Sequence, residues 1–162
     1  MSSAVPMVDV AIIGGGVAGL TAALHLSRAG RRTTVFDAPT PARNATSHGL
    51  HGVPGLDRIG PEEFRRRAWS DLAQYDLATR SHRTVVDIAP VDGEGYEVHT
   101  RCGEAGQAGE AGEGERAGEG GTLRAQRVLL ATGMQDVLPP VEGLATCWGT
   151  SVIHCTHCAG WE

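Results

Sequence analysis

The run Val8-Asp-Val-Ala-Ile-Ile-Gly-Gly-Gly-Val-Ala-Gly19 leaves this chain few folds to choose from. Val8 to Ile13 is short and almost continuously apolar, the pattern of a parallel strand covered on both faces. Gly14, Gly15 and Gly16 break it. From Val17 the spacing becomes helical, with Leu20, Ala23, Leu24 and Ser27 on one face and Gly30 placed to end the helix. Thr33 to Phe36 is β-branched and apolar, a second strand that Asp37 closes. Strand, glycine turn, helix, strand and acid, in that order, predict a βαβ unit of the α/β class with a phosphate site at its turn.

The residue types fit that chemistry. Gly14 allows the tight turn. Gly16 lets a pyrophosphate approach the backbone N–H groups of Val17, Ala18 and their neighbours at the positive helix end, and Gly19 lets helix and strand pack closely. A carboxylate at Asp37, on the strand tip, can accept hydrogen bonds from a ribose diol. A glycine-rich turn alone would be a weak signal, but this one has its strand before it and its helix after it.

Composition excludes more than it assigns. The chain has 162 residues, about one domain and large enough for a core. No apolar run approaches the ~20 residues that span a bilayer, and Met1-Ser-Ser-Ala-Val-Pro-Met lacks the features of a signal peptide, so a cytoplasmic, membrane-free protein is expected. The net charge is -5, most of it in the Glu-rich tract between Gly103 and Gly121, which leaves no nucleic-acid footprint. None of the 14 basic residues is lysine, which with the Ala and Gly abundance reads as GC-biased coding. Four cysteines at this length do not make a disulfide scaffold, and Cys102 and Cys147 read as ordinary thiols.

Between the βαβ unit and the tail lie four segments. Pro39 to Gly60 is loop-like and carries Arg43, Asn44, His48 and His51, any of which could meet a phosphate or a cofactor ring. Pro61 starts a helix, with Glu62 and Glu63 in its positive first turn and Phe64, Ala68, Leu72 and Tyr75 on one stripe. Arg65, Arg66 and Arg67 fall mostly on its solvated face. Thr84 to Ile88, Tyr96 to Thr100 and Thr122 to Ala125 read as a three-stranded antiparallel insert, with a turn at Asp92-Gly93. Gly103 to Gly121 cannot bury a core and is expected to be a disordered loop. Val128 to Ala131 is again a buried strand, ending in the small-residue turn Thr132-Gly133.

Cys155-Thr-His-Cys158 follows. Two cysteines three apart can close a redox ring or supply half of a zinc site. A cysteine at a helix start has its pKa lowered by the backbone dipole, and His154 and His157 adjoin the pair.

Taken together, Asp9-Val-Ala-Ile-Ile-Gly-Gly-Gly-Val-Ala-Gly-Leu20, Ala42-Arg-Asn-Ala45, His51-Gly52, Leu130-Ala-Thr-Gly133, Trp148-Gly149 and His154-Cys-Thr-His-Cys-Ala-Gly-Trp-Glu162 resemble the thioredoxin reductase-like, FAD-dependent pyridine nucleotide-disulfide oxidoreductases of the glutathione reductase superfamily. The resemblance is greatest to the branch of dithiol oxidases that close disulfides in holomycin- and gliotoxin-type products. It implies a Rossmann-like FAD-binding domain over residues 1–146 with the antiparallel insert. It implies also that residues 147–162 begin a nicotinamide-binding domain, so that the chain corresponds to an N-terminal portion. Gly14, Gly16, Val17, Ala18 and Gly19 would hold the FAD pyrophosphate, and Asp37 the adenosine ribose. Arg43, Asn44 and His51 would lie along the cofactor, and Thr132 and Gly133 beside it.

By the same resemblance Cys155 and Cys158 are the redox pair, Cys155 meeting the substrate and Cys158 nearer the flavin. The family commonly has Asp or His after the second cysteine and, in the nearest branch, Pro after the first. Here Ala159 and Thr156 stand there, which makes His157 the candidate for proton transfer. Family members continue into a nicotinamide domain and return with a last strand of the FAD domain, and without that return Val128 to Ala131 is expected to form a bare sheet edge. The implied reaction is dithiol–disulfide exchange with FAD, with NADPH if the further domain is supplied. The implied substrate is a small dithiol or disulfide, or a thioredoxin-like protein, and dimers or a complementing chain fit the family. A non-catalytic nucleotide-binding module and a zinc-binding interaction module are the alternatives. The fingerprint upstream favours the redox pair over zinc.

Overall fold

The computed structural model describes residues 7–39, 43, 49–102, 120–153, 155 and 156. The chain divides into two compact units, Met1–Thr40 with Ala68–Thr132 and Pro41–Arg67 with Gly133–Glu162.

The first unit is built on one six-stranded sheet. β1 (Met7–Ile13), helix α1 (Val17–Arg28) and β2 (Thr33–Phe36) form the expected βαβ unit. Gly30, with φ 73°, sits just beyond α1 in the left-handed conformation that ends helices. Helix α2 (Pro61–Leu72), of which Ala68 to Leu72 belong to this unit, starts at its proline, and Phe64 and Leu72 are buried along the predicted stripe. After α2 come β3 (Ala78–Ser81), β4 (Thr84–Val91), β5 (Gly95–Arg101) and β6 (Gly120–Leu130). The sheet order is β3-β2-β1-β6-β5-β4. β1 pairs in parallel with β2 and β6, and β2 with β3, while β4, β5 and β6 pair antiparallel.

Alternation along β1 divides its side chains between the two faces of the sheet. Ala11 and Ile13 join Phe36, Val98 and Ala125 in one buried cluster. Ile12, fully buried, faces α1, where Leu20 and Ala23 are buried as well.

Three expectations need correcting. The three antiparallel strands are present, but the third does not stop at Ala125: Thr122 to Ala125 and Val128 to Leu130 are parts of the single strand β6. Pairing to β5 over its first half and to β1 over its second carries the backbone through the polar Gln126-Arg127. Gly120 and Gly121, expected in the disordered loop, belong to β6 and pair with Arg101 and Thr100. Thr100 Oγ1 donates to the Gly121 carbonyl at 3.1 Å, which anchors that end. The tract at 103–119 lies outside the described residues. The bare edge is met, since β5 pairs with β6 only as far as Ala125 and leaves Val128 to Leu130 paired with β1 alone. The burial expected of that stretch is not, because Val128 and Leu129 are half-buried and Leu130 is exposed.

The remaining short helix, α3 (Leu144–Cys147), belongs to the second unit. Among the described residues no helix is long and apolar enough to cross a membrane.

On α2 the arginine run is solvated as expected, with Arg66 and Arg67 both bound to Glu63. Hydrogen bonds from Arg66 first and Arg67 second lower the Glu63 pKa from 4.5 to about 2. The stabilisation this gives is therefore full above about pH 4.5 and is lost as pH falls towards 2. A carboxyl-detected NMR titration should place the Glu63 midpoint near 2, and Arg66→Ala should move it up towards 4.5.

Candidate functional site

At the carboxyl ends of β1, β2 and β6, the first unit gathers the glycine turn, Asp37 and Thr132. Backbone pairing fixes this rim. Gly14 N–H donates to the Phe36 carbonyl at 2.8 Å, and Ala131 N–H to the Ile13 carbonyl at 2.8 Å. Ligands of open parallel sheets bind in this position.

The glycines divide by what surrounds them. Gly14 has φ 115°, and a Cβ there would overlap the Ala131 carbonyl oxygen. A Cβ on Gly19 would overlap the Gly14 carbonyl oxygen and come within 3.3 Å of Ile12 Cγ2. A Cβ on Gly15 would run into the Asp37 carboxyl group. These three are close approaches of chain to chain. Gly16 differs, since among the described residues nothing lies within 4 Å of its Cβ position. Gly16 is the N-cap of α1, no side chain among the described residues caps that end, and the first turn holds no acidic residue. Gly16, Val17 and Ala18 are exposed. An uncapped, exposed helix start with open space before it fits a pyrophosphate.

Asp37 is 5% exposed, with its N–H donating to the Ser81 carbonyl at 2.8 Å. Its side-chain partner lies 43 positions away in sequence. Arg80, on β3, donates to Asp37 Oδ2 from Nη2 at 2.9 Å and from Nε at 3.2 Å. The Arg80 guanidinium also lies over the Trp69 ring of α2, 5.3 Å from its centroid. Parallel pairing of β3 with β2 sets Arg80 opposite Val35, two residues before Asp37. A four-residue edge strand with one arginine carries no apolar run, so neither the strand nor the ion pair could be found by pattern.

Among the described residues, four other sequence-derived candidates lie in the second unit. Arg43 makes a two-pronged pair with Asp136, Nε to Oδ2 and Nη2 to Oδ1, both at 2.8 Å. That bond raises the Arg43 pKa above its ordinary value. His51 Nδ1 is 3.8 Å from Asp57 Oδ1, which accepts from the Gly52 N–H at 2.9 Å. Gly133 has φ 66° and is exposed. Cys155 is half-buried and has an interaction of its own. Cys102 and Cys147 are free thiols, as expected. Asn44, His48, His154, His157 and Cys158 lie outside the described residues. The described residues therefore assemble the glycine turn, Asp37 and Thr132, and leave the second cysteine and its histidines to sequence alone.

Residues 8–162 match the model of a family described as pyridine nucleotide-disulphide oxidoreductase. The thioredoxin reductase tcpT of Claviceps purpurea is 36% identical over 158 residues, 96% of this chain and 44% of its own length. The thioredoxin reductase aclD of Aspergillus oryzae is 33% identical over 161 residues, 98% of this chain and 45% of its own length. Among solved structures, an oxidoreductase from Agrobacterium tumefaciens superposes with a TM-score of 0.76 at 33% identity, covering 96% of this chain and 46% of that one. The chain thus spans less than half the length of the curated relatives it matches.

Proposed function

The chain belongs to the pyridine nucleotide-disulphide oxidoreductase family, and from that premise we propose that it carries the adenosine half of an FAD site and the dithiol of a flavin-dependent disulfide oxidoreductase. Thioredoxin reductase-like members of this family use FAD and NADPH. The observation that carries the reading is the open, uncapped α1 start at Gly16 beside Asp37, a site that fits the pyrophosphate and ribose of a dinucleotide. Gly16, Val17, Ala18 and Gly19 would bind the pyrophosphate through backbone N–H groups, and Asp37 the ribose. Arg43, Asn44 and His51 would follow the cofactor, with Thr132 and Gly133 beside it. Residues 1–146 would belong to the FAD-binding domain and 147–162 to the start of a nicotinamide-binding domain.

When bound, FAD would supply a two-electron redox centre for the dithiol. The chain's own part is thiol chemistry. With the pair reduced, the Cys155 Sγ thiolate attacks one sulfur of a disulfide substrate, forming a mixed disulfide and releasing the other sulfur as a thiol. Cys158 Sγ then displaces the remaining substrate sulfur and closes the Cys155–Cys158 disulfide. The substrate gains two electrons and two protons, and the pair loses them. The reverse sequence oxidises a dithiol. His157 takes the proton from the attacking thiol, the role that Ala159 cannot fill. The substrate is a small dithiol or disulfide or a thioredoxin-like protein, the setting is cytoplasmic, and the working form is a homodimer or is completed by a further chain.

Anaerobic titration tests this directly. Purified protein mixed with FAD should quench flavin fluorescence saturably, and added dithiol should bleach the visible flavin bands. Absence of flavin binding sinks the reading. Binding without bleaching replaces it with a non-catalytic nucleotide-binding module.

A further inference from the structure

Asp37 is buried at the sheet rim, and its position is set by a residue on another strand. Both Arg80 contacts fall on the same carboxylate oxygen, Oδ2, at 2.9 and 3.2 Å. The carboxyl group lies at the same time against Gly15, where a Cβ would overlap it. Asp37 is therefore held between the glycine turn on one side and a guanidinium on the other. Arg80 is held in turn, with its guanidinium over the Trp69 ring at 5.3 Å. Trp69 Nε1 is buried without a hydrogen-bond partner among the described residues, so the indole contributes its face and its packing. α2, β3 and β2 thus form a relay of ring, guanidinium and carboxylate ending at the strand tips.

We propose that Arg80 is a positioning residue for the adenosine ribose: it acts through Asp37 and decides how strongly the site distinguishes a ribose diol from a sugar lacking one. This rests on the dinucleotide reading of the glycine turn. An aspartate reaches one methylene less far than a glutamate, so a small rotation about its side-chain torsions moves the carboxylate oxygens off a diol. Fixing Oδ2 with two N–H donors removes that freedom before the ligand arrives, and the ordering then costs nothing on binding. Arg80 also balances the charge of a buried carboxylate.

The test pairs a protein change with a ligand change. ADP and 2′,3′-dideoxy-ADP share the adenine and the pyrophosphate and differ only in the hydroxyls that Asp37 would read. Calorimetric titration of the wild-type protein should show ADP preferred by about tenfold or more, the size of a hydrogen bond to a charged group. Asp37→Asn and Arg80→Ala should each reduce the preference to about threefold or less, with the affinity for dideoxy-ADP nearly unchanged. Trp69→Phe keeps an aromatic face, loses no hydrogen bond, and should retain the preference. Arg80→Lys keeps the charge and the alkyl stem, so it stays folded even if Arg80→Ala does not. A single ammonium cannot reproduce the two-pronged hold, and its preference should fall between the two. An Arg80 variant that keeps the full preference overturns the proposal. So does one that weakens ADP and dideoxy-ADP equally, which would make Arg80 a direct ligand contact or a purely structural residue. If the wild-type protein binds neither nucleotide, the dinucleotide reading itself fails. If it binds both equally, that reading stands and the ribose-reading role of Asp37 and Arg80 falls.

Discussion

Gly14→Ala and Gly19→Val are each expected to lower the melting temperature by about 10 °C or more, whereas Gly16→Ala leaves it nearly unchanged and weakens nucleotide binding instead. The three glycines lie in one fingerprint, yet the structure gives them different work. Gly14 has φ 115°, where any side chain is strained, and a Cβ there would overlap the Ala131 carbonyl at the end of β6. Strain of roughly 1–3 kcal/mol at such a residue adds to the cost of pushing β6 away from β1. The result is several kcal/mol out of the roughly 5–15 kcal/mol that hold a typical domain together. At Gly19 the obstacle is the Gly14 carbonyl oxygen, with Ile12 Cγ2 behind it. Neither backbone can yield without separating α1 from β1, and a β-branched residue adds a second clash. Gly16 has φ -81°, an ordinary value, and open space before it. A methyl group there touches no atom of the described residues, but it stands where a pyrophosphate would approach. Differential scanning calorimetry of the three variants, with ADP titration of the one that stays folded, separates the two roles. A normal melting temperature for Gly14→Ala would contradict the β6 contact.

How far the sequence could be read follows from which interactions leave a local pattern. β1, the turn, α1 and β2 were legible because apolar period, glycine and β-branching all agree there. The open start of α1 at Gly16 is legible for the same reason, since the geometry of a helix start is local. β3 was not, because Ala78-Thr-Arg-Ser81 is held by pairing with β2 and has no pattern of its own. Arg80 and its hold on Asp37 were lost with it. In sequence β6 looks like two strands because Gln126 and Arg127 interrupt its apolar run. Two neighbouring strands, found far away in the sequence, carry it through. The two-pronged bond of Arg43 to Asp136, 93 positions on, is equally non-local. The Cys155–Cys158 spacing, by contrast, is visible in sequence alone.

That spacing makes the second large effect an asymmetric one. Cys155→Ser should reduce exchange with a small aromatic disulfide such as 5,5′-dithiobis(2-nitrobenzoate) by on the order of 10²-fold or more, because it removes the attacking thiolate itself. Cys158→Ser should leave the first attack intact and block the second, so that the mixed disulfide on Cys155 accumulates. Mass spectrometry at short reaction times distinguishes them: a 2-nitro-5-thiobenzoate adduct on Cys155 in the Cys158→Ser protein, and little on Cys158 in the Cys155→Ser protein. Cys102 and Cys147 are free, half-buried thiols and would add background, so the comparison belongs in a Cys102→Ser, Cys147→Ser protein. The measurement reads the thiol half of the cycle alone, so it needs neither bound FAD nor a nicotinamide domain. Stable adducts of equal yield on both single variants would mean that the two sulfurs are interchangeable, and the assigned order of attack would fall. Chelator-sensitive protection of both cysteines from the reagent would point instead to a metal held by the pair, and the redox assignment would fall with it.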